Sequence, residues 1–260
     1  MQNDPQASPS YDANSAAPLD SPPAQGGKLI APVWHTALVV AILLVFSFLG
    51  SNPKGVVMQG GSRILLYTGT FFFELIVFSL IWIWVRRSGV PMKELIGGRW
   101  TSVESFLIDV AIAVGFLIVA DVLMAGVRVA LGTLDLNHMD KQLAETQRML
   151  GPLIPRTRLE LGLFVGLSVS AGLFEEIIFR GYLQRQIGSL ARNAAAGIIG
   201  SAVVFGLGHG YQGARMMIAL AIYGAFFGML AHFRKSLRPG MMAHALQDAY
   251  SGLALYFLSR

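Results

Sequence analysis

Seven long apolar runs divide this chain, at 33–50, 64–85, 103–131, 159–187, 194–211, 214–233 and 239–258. Crossing a hydrocarbon layer roughly 30 Å thick takes about 20 mostly apolar residues in a helix. No water is present there to satisfy the backbone, so only helices and closed barrels can cross. Continuous runs, rather than short alternating segments, point to helices. The expected fold class is therefore all-α: a polytopic membrane bundle of about seven transmembrane helices. Composition agrees, with 54% of residues hydrophobic, 13% charged and a mean hydropathy of +0.56. Such a composition excludes a disordered chain and argues against a soluble enzyme. The runs share no common period, so neither a solenoid nor an inverted repeat is visible.

Residues 1–28 are rich in Pro, Ser, Ala, Gln and Asn and read as a disordered tail. The tail has no early Lys or Arg, unlike a signal peptide, so the first apolar run is expected to stay in the membrane as an anchor. Two regions follow: transmembrane helices and a long surface loop over 29–158, then a transmembrane core over 159–260. Within the loop, 134–150 reads as an amphipathic surface helix. The net charge is +5, but the basic residues are scattered and form no stripe. Loops facing anionic lipid explain them, and nucleic acid is not an expected partner. The absence of cysteine excludes disulfides, thiolate catalysis and Cys-ligated zinc.

Orientation follows from the basic residues between runs. With the amino end cytoplasmic, the inside segments hold Lys28, Arg86, Arg87, Lys93, Arg99, Arg185, Arg192, Arg234, Lys235 and Arg238. The outside segments hold Lys54, Arg63, Lys141, Arg148, Arg156, Arg158, Arg215 and Arg260. The balance of ten against eight favours a cytoplasmic amino terminus.

A charged side chain at mid-membrane costs about 2.5–3.5 kcal/mol on insertion scales, so each one calls for an explanation. The chain places Glu74, Asp109, Asp121, Arg128, Glu175, Glu176, Arg180, His209, His244 and Asp248 in apolar runs. At helical spacing Glu176 and Arg180 stand one above the other, acid first, which suits an ion pair. Glu175 projects about 100° away and is left for another task. His209 sits in Phe-Gly-Leu-Gly-His-Gly, where the glycines permit close approach or a helix break. His244 and Asp248 share a helix face; either the acid fixes the imidazole tautomer or both reach one water or metal. Each feature alone is compatible with a structural ion pair, a polar helix cap or an intrahelical hydrogen bond. Together they form a set for activating water: a carboxylate to take the proton and imidazoles to hold the water or stabilise an oxyanion.

In this order, Glu175-Glu176-x-x-x-Arg180, Phe205-x-x-x-His209 and His244-x-x-x-Asp248 resemble the motifs of the CPBP family of intramembrane endopeptidases. That family includes the CAAX-prenyl proteases and the bacteriocin-immunity (Abi) proteins. The resemblance covers about 159–258. It implies that Glu175 is the general base, that Glu176 and Arg180 are the adjoining pair, and that His209 and His244 hold water or stabilise the oxyanion. Asp248 would complete the site. Asp stands where the prenyl-protease branch typically has Asn, which bears on prenyl specificity more than on fold.

Both a metal-dependent and a metal-free mechanism remain open at this stage. No His-Glu-x-x-His is present, yet Glu175, His209, His244 and Asp248 are chemically adequate for Zn. The expected substrate is a membrane-associated or prenylated peptide. Phe205, Met216, Met217, Phe226, Phe227, Met241 and Met242 offer an adaptable apolar lining for it. No Ser stands in an evident nucleophile motif, so no covalent acyl-enzyme is expected. The expected location is a prokaryotic cell membrane, with lipid as the surrounding partner. Two rival readings are a proton-coupled transporter using Glu74, Asp121 and Arg128, and a non-catalytic adaptor or immunity protein of the same fold.

Overall fold

The structure, a computed structural model, describes residues 29–51, 62–135 and 137–258. The tail expected over 1–28 lies outside the described residues. Each of the seven apolar runs is helical. They form α1 (Val33–Ser51), α2 (Arg63–Arg87), α4 (Val103–Ala130), α6 (Arg158–Glu175), α8 (Ala194–Leu207), α9 (Ala214–Arg234) and α10 (Arg238–Leu258). A short α3 (Met92–Ile96) joins α2 to α4, and α5 (Met139–Leu150) is the helix expected in the long loop. Helix α6 continues without a break through a π-helical segment, Glu176–Leu183, into α7 (Gln184–Ala191). No strand occurs among the described residues.

Among the described residues, five helices are long and apolar enough to cross a membrane: α1, α2, α4, α9 and the continuous helix from Arg158 to Ala191. These five do not confirm the expected count of about seven. Helix α8 is only 14 residues long, about 21 Å at 1.5 Å per residue. Helix α10 has 21 residues but carries Arg238, His244, Gln247 and Asp248 among its apolar side chains.

Local chemistry sets the boundaries. Ser102 and Ser105 form a capping box at the start of α4, and Thr157 and Glu160 form one at the start of α6. Each box satisfies backbone donors that the first turn leaves without partners. Asn193 accepts from the amides of Ala195 and Ala196 to start α8. Arg192 and Lys235 adopt left-handed backbone conformations (φ 51° and 53°) that end α7 and α9. Short connections then return α8 and α10 into the bundle.

Without a hydrophobic drive between helices in lipid, close backbone approach decides which helices pair. Helix α6 packs on α10, and α8 packs on α9. A Cβ added at Gly172 would lie 2.7 Å from the Ala245 nitrogen and the Met241 oxygen of α10. One at Gly206 would strike the Met217 carbonyl of α9. The first contact joins two of the helices that carry motifs, and the second sets α8, which carries another, against α9. Large apolar side chains such as Phe48, Leu65, Val103, Val122 and Phe257 point outward, as lipid-facing positions do.

One end of the bundle is polar and aromatic. Trp34 and Trp84 meet edge to face at 5.2 Å, and Arg87 lies over Trp84. Asp109, fully buried, takes Arg234 and Arg238 at 3.0 Å each and the Trp100 indole at 2.9 Å. Arg185 donates to the Leu95 carbonyl, and Leu237 to that of Ile96. Gln186 binds the backbone of Ile30 and Ala31, while the Tyr182 hydroxyl meets His35 at 2.7 Å. These contacts fasten the start of α1 and the ends of α2, α7 and α9 to one another.

The close approach at Gly172 yields a direct test. Gly172→Ala is expected to lower thermal stability in detergent by about 1–3 kcal/mol, the usual range for overpacking. Gly166→Ala, in the same helix with open space around its Cβ position, should be neutral or stabilising by up to about 1 kcal/mol through helix propensity.

Candidate active site

The site is assembled around Glu176, which is fully buried. Its Oε1 accepts from Arg180 Nη1 at 2.9 Å and from His244 Nδ1 at 3.0 Å. The ion pair expected from spacing is therefore present, although it lies in π-helix rather than α-helix. Such segments are frequent at functional sites. The Arg180 guanidinium, 2% exposed, also donates to the Gly224 carbonyl of α9 at 3.1 Å. It stacks over Phe205 at 4.6 Å and Phe227 at 5.2 Å. The two rings, expected to line a substrate cavity, instead wrap this cation and are themselves buried. Met241 packs against the main apolar core, and Met242 against Phe227 and Ala243.

His244 is held from one side and left open on the other. With Nδ1–H donated to the Glu176 carboxylate, Nε2 faces Glu175 Oε2 at 3.8 Å and Asp248 Oδ2 at 3.7 Å. The i,i+4 spacing therefore leads to a shared space, and Glu176, rather than Asp248, orients the imidazole. Neither 3.7 Å nor 3.8 Å is a direct hydrogen bond. Separations of this size between polar groups are those that one water bridges. Glu175 Oε2 is buried and makes no hydrogen bond within the protein. The side chains of Glu175 and Asp248 are 20% and 40% exposed, so the space opens past Asp248.

His209 reaches the same region because α8 is short. The helix ends at Leu207, and His209 follows in a turn that leads into a 3-10 segment, Gly210–Gln212. Its Nδ1–H donates to the Phe205 carbonyl at 2.8 Å, which leaves Nε2 free for a further partner. Phe205 lies between the two imidazoles, 4.7 Å from His209 and 6.1 Å from His244 by ring centroids. His209 is also within electrostatic reach of Asp248. The helix break that the glycines around His209 permit is thus realised where α8 ends. Residues 181–190 continue the long helix that begins with α6.

Three neighbours went unassigned in the sequence reading. Glu74 of α2, 4% exposed, accepts from the Ser170 hydroxyl at 3.2 Å and lies within electrostatic reach of Glu175, His244 and Asp248. Tyr211 stands 6.0 Å from the His209 ring, and Gln212 donates to its hydroxyl. Tyr223 lies near Asp121 on one side and Asp248 on the other. Charge in an apolar run was the signal for Glu74; Tyr211 and Tyr223 carried none. The groups that motivated a transporter lie in different surroundings. Glu74 joins the cluster, Asp121 is exposed, and Arg128 turns to the Thr133 carbonyl at 3.5 Å.

Zinc would need three or four of these donors converging at roughly 2.0–2.2 Å. Among the described residues, no group of three His, Asp or Glu side chains converges closely enough to hold a metal ion. The chemistry below is written with the chain's own groups.

The cluster of carboxylates and imidazoles lies among apolar helices, several of them long enough to cross a membrane. In comparison with known families, residues 157–250 match the family described as type II CAAX prenyl endopeptidase Rce1-like. The matched segment contains all three motifs and bears out the resemblance they carry. No curated protein and no solved structure matches the chain.

The two adjacent glutamates should separate on substitution. Glu176→Gln strands the Arg180 charge and loosens His244, and is expected to cost about 3–5 kcal/mol of stability in a detergent melt. Glu175→Gln removes a carboxylate with no hydrogen bond in the protein and should melt within about 1 kcal/mol of wild type. Equal melts for the two variants would contradict this division.

Proposed function

We propose that this protein is an intramembrane endopeptidase that cleaves a membrane-associated, CAAX-type peptide by water attack. The family match over 157–250 supports the class of reaction. The observation that carries the mechanism is Glu175 Oε2, a buried carboxylate oxygen with no bond in the protein, 3.8 Å from the open nitrogen of an imidazole that Glu176 orients.

In this reading a water sits between Glu175 and His244. Glu175 takes its proton as the oxygen bonds to the scissile carbonyl carbon. The carbonyl oxygen gains the negative charge and is stabilised by Nε2–H groups of His209 and His244 in their protonated, imidazolium form, with Asp248 beside them. The carbon–nitrogen bond then breaks, and the proton held by Glu175 passes to the leaving amine. No covalent acyl-enzyme forms. Arg180 neutralises Glu176, so the carboxylate that orients His244 is not itself drawn into proton transfer.

The orientation reading rests on the polar, aromatic end of the bundle. All four tryptophans, Trp34, Trp82, Trp84 and Trp100, sit on the segments that meet there, with Arg86, Arg87, Arg185, Arg234 and Arg238. Indole belts form at either interface, whereas excess Lys/Arg favours the cytoplasmic one, and the start of α1 lies at this end. This supports a cytoplasmic amino terminus.

Release of a labelled peptide from proteoliposomes is the test. Glu175→Ala should lose about 10²–10⁴-fold in kcat, the usual contribution of a general base. An undiminished rate would overturn the reading. Because the donors do not converge for a metal, cleavage is expected to survive thorough chelation. Loss on chelation with recovery on added zinc would place a metal in the mechanism instead.

A further inference from the structure

At the carboxyl end of α8 the chain relies on a residue more than 150 positions away. Ser47 of α1, 5% exposed, donates its hydroxyl to the Leu207 carbonyl at 2.7 Å and accepts from the Gly210 amide at 3.0 Å. The two bonds fall on either side of His209. The first takes up a carbonyl at a helix end that the 3-10 segment does not continue, and the second takes up an amide in the turn. Non-helical backbone at membrane depth is tolerated only where protein satisfies it. One hydroxyl does so here for both flanks of the imidazole.

We infer that Ser47 is a positioning residue for His209, and that α1 is thereby a working part of the site although the family match begins only at residue 157. The geometry of His209 has two local constraints: its own Nδ1–H to the Phe205 carbonyl, and the backbone on either side of it. The first fixes the ring relative to α8. The second fixes where the helix stops, and so how far the ring extends toward Asp248 and His244. Releasing the Leu207 carbonyl and the Gly210 amide allows α8 to extend or the turn to relax, which carries the ring with it. The catalytic consequence rests on the peptidase reading above; the structural one does not.

The experiment uses the full chain in proteoliposomes, with Ser47→Ala, Ser47→Thr, Glu175→Ala and a control, Ser79→Ala. Ser79 is a part-buried serine of α2 whose hydroxyl bonds only back to the Leu75 carbonyl at 2.7 Å. Displacing a catalytic group by around an ångström can lower rates on the order of a hundredfold. Ser47→Ala should therefore lower kcat about ten- to a hundredfold with KM within about twofold, while Ser47→Thr, which keeps the hydroxyl, restores most of the rate. The ring nitrogen resonances of His209, assigned by their loss in His209→Ala, should move in Ser47→Ala and stay in place in Ser47→Thr and Ser79→Ala.

A full rate in Ser47→Ala together with unmoved His209 resonances overturns the inference, as does a threonine variant no better than alanine on both readouts. If wild type and Glu175→Ala cleave alike, the peptidase reading fails instead, and the His209 resonances alone decide the role of Ser47.

Discussion

The hydrogen bonds that converge on one carboxylate hold this molecule's interior in register. Glu176 is bound by a guanidinium from its own helix and an imidazole from α10, and the guanidinium is closed in by a carbonyl of α9 and a ring of α8. Breaking a buried pair costs far more than making it yields, because the orphaned charge remains in a medium that cannot solvate it. The arrangement therefore acts as a constraint on position more than a reserve of stability. Four helical segments must meet at one depth and one rotation for the charge to be matched. Once they do, Glu175 and the outer nitrogen of His244 are aimed into the same space.

The π-helical turn belongs to this constraint. Residues 176–183 are all buried and contain Glu176, Arg180, Gly181 and Tyr182, which face four different neighbours. A wider turn distributes side chains around the helix differently from an α-turn and lets a short stretch serve α8, α9, α10 and the start of α1 at once. A Cβ at Gly181 would stand 3.1 Å from Leu237 and 3.3 Å from Leu95, so the widened turn is also tightly packed.

Much of this was legible in the residues. Apolar length located the long helices to within a few positions, because hydrophobic thickness and helical rise are fixed quantities. The Glu176–Arg180 pair followed from spacing, and the caps at Ser102, Thr157 and Asn193 lie where such residues precede apolar runs. What could not be read was which partner each polar group chooses across helices. His244 has an acid four residues on and takes another 68 positions earlier, because the bundle, not the helix, sets that distance. Phe205 and Phe227 looked like surfaces for an apolar substrate and serve as the bed of a cation. The π-turn has no residue signature, and Ser47 looks like any serine in an apolar run. Glu74 stood out as a charge, but nothing in its own segment says that it lies beside Ser170.

The ring of tryptophan and arginine at one end of the bundle also sets a depth. Arg238 is tied to Asp109 and stacked on Trp100, and His244 lies six residues further along the same helix. At 1.5 Å per residue that is about 9 Å of vertical distance. With the aromatic collar floating at the headgroup boundary, the imidazole hangs at a constant plumb line beneath it, whatever the bilayer does on its far side. A tethered chain reaching this site is therefore measured from the surface inward, as by a gauge rod. In the proposed reaction, the bond presented to Glu175 would be chosen by how many residues separate it from whatever holds that chain at the headgroups.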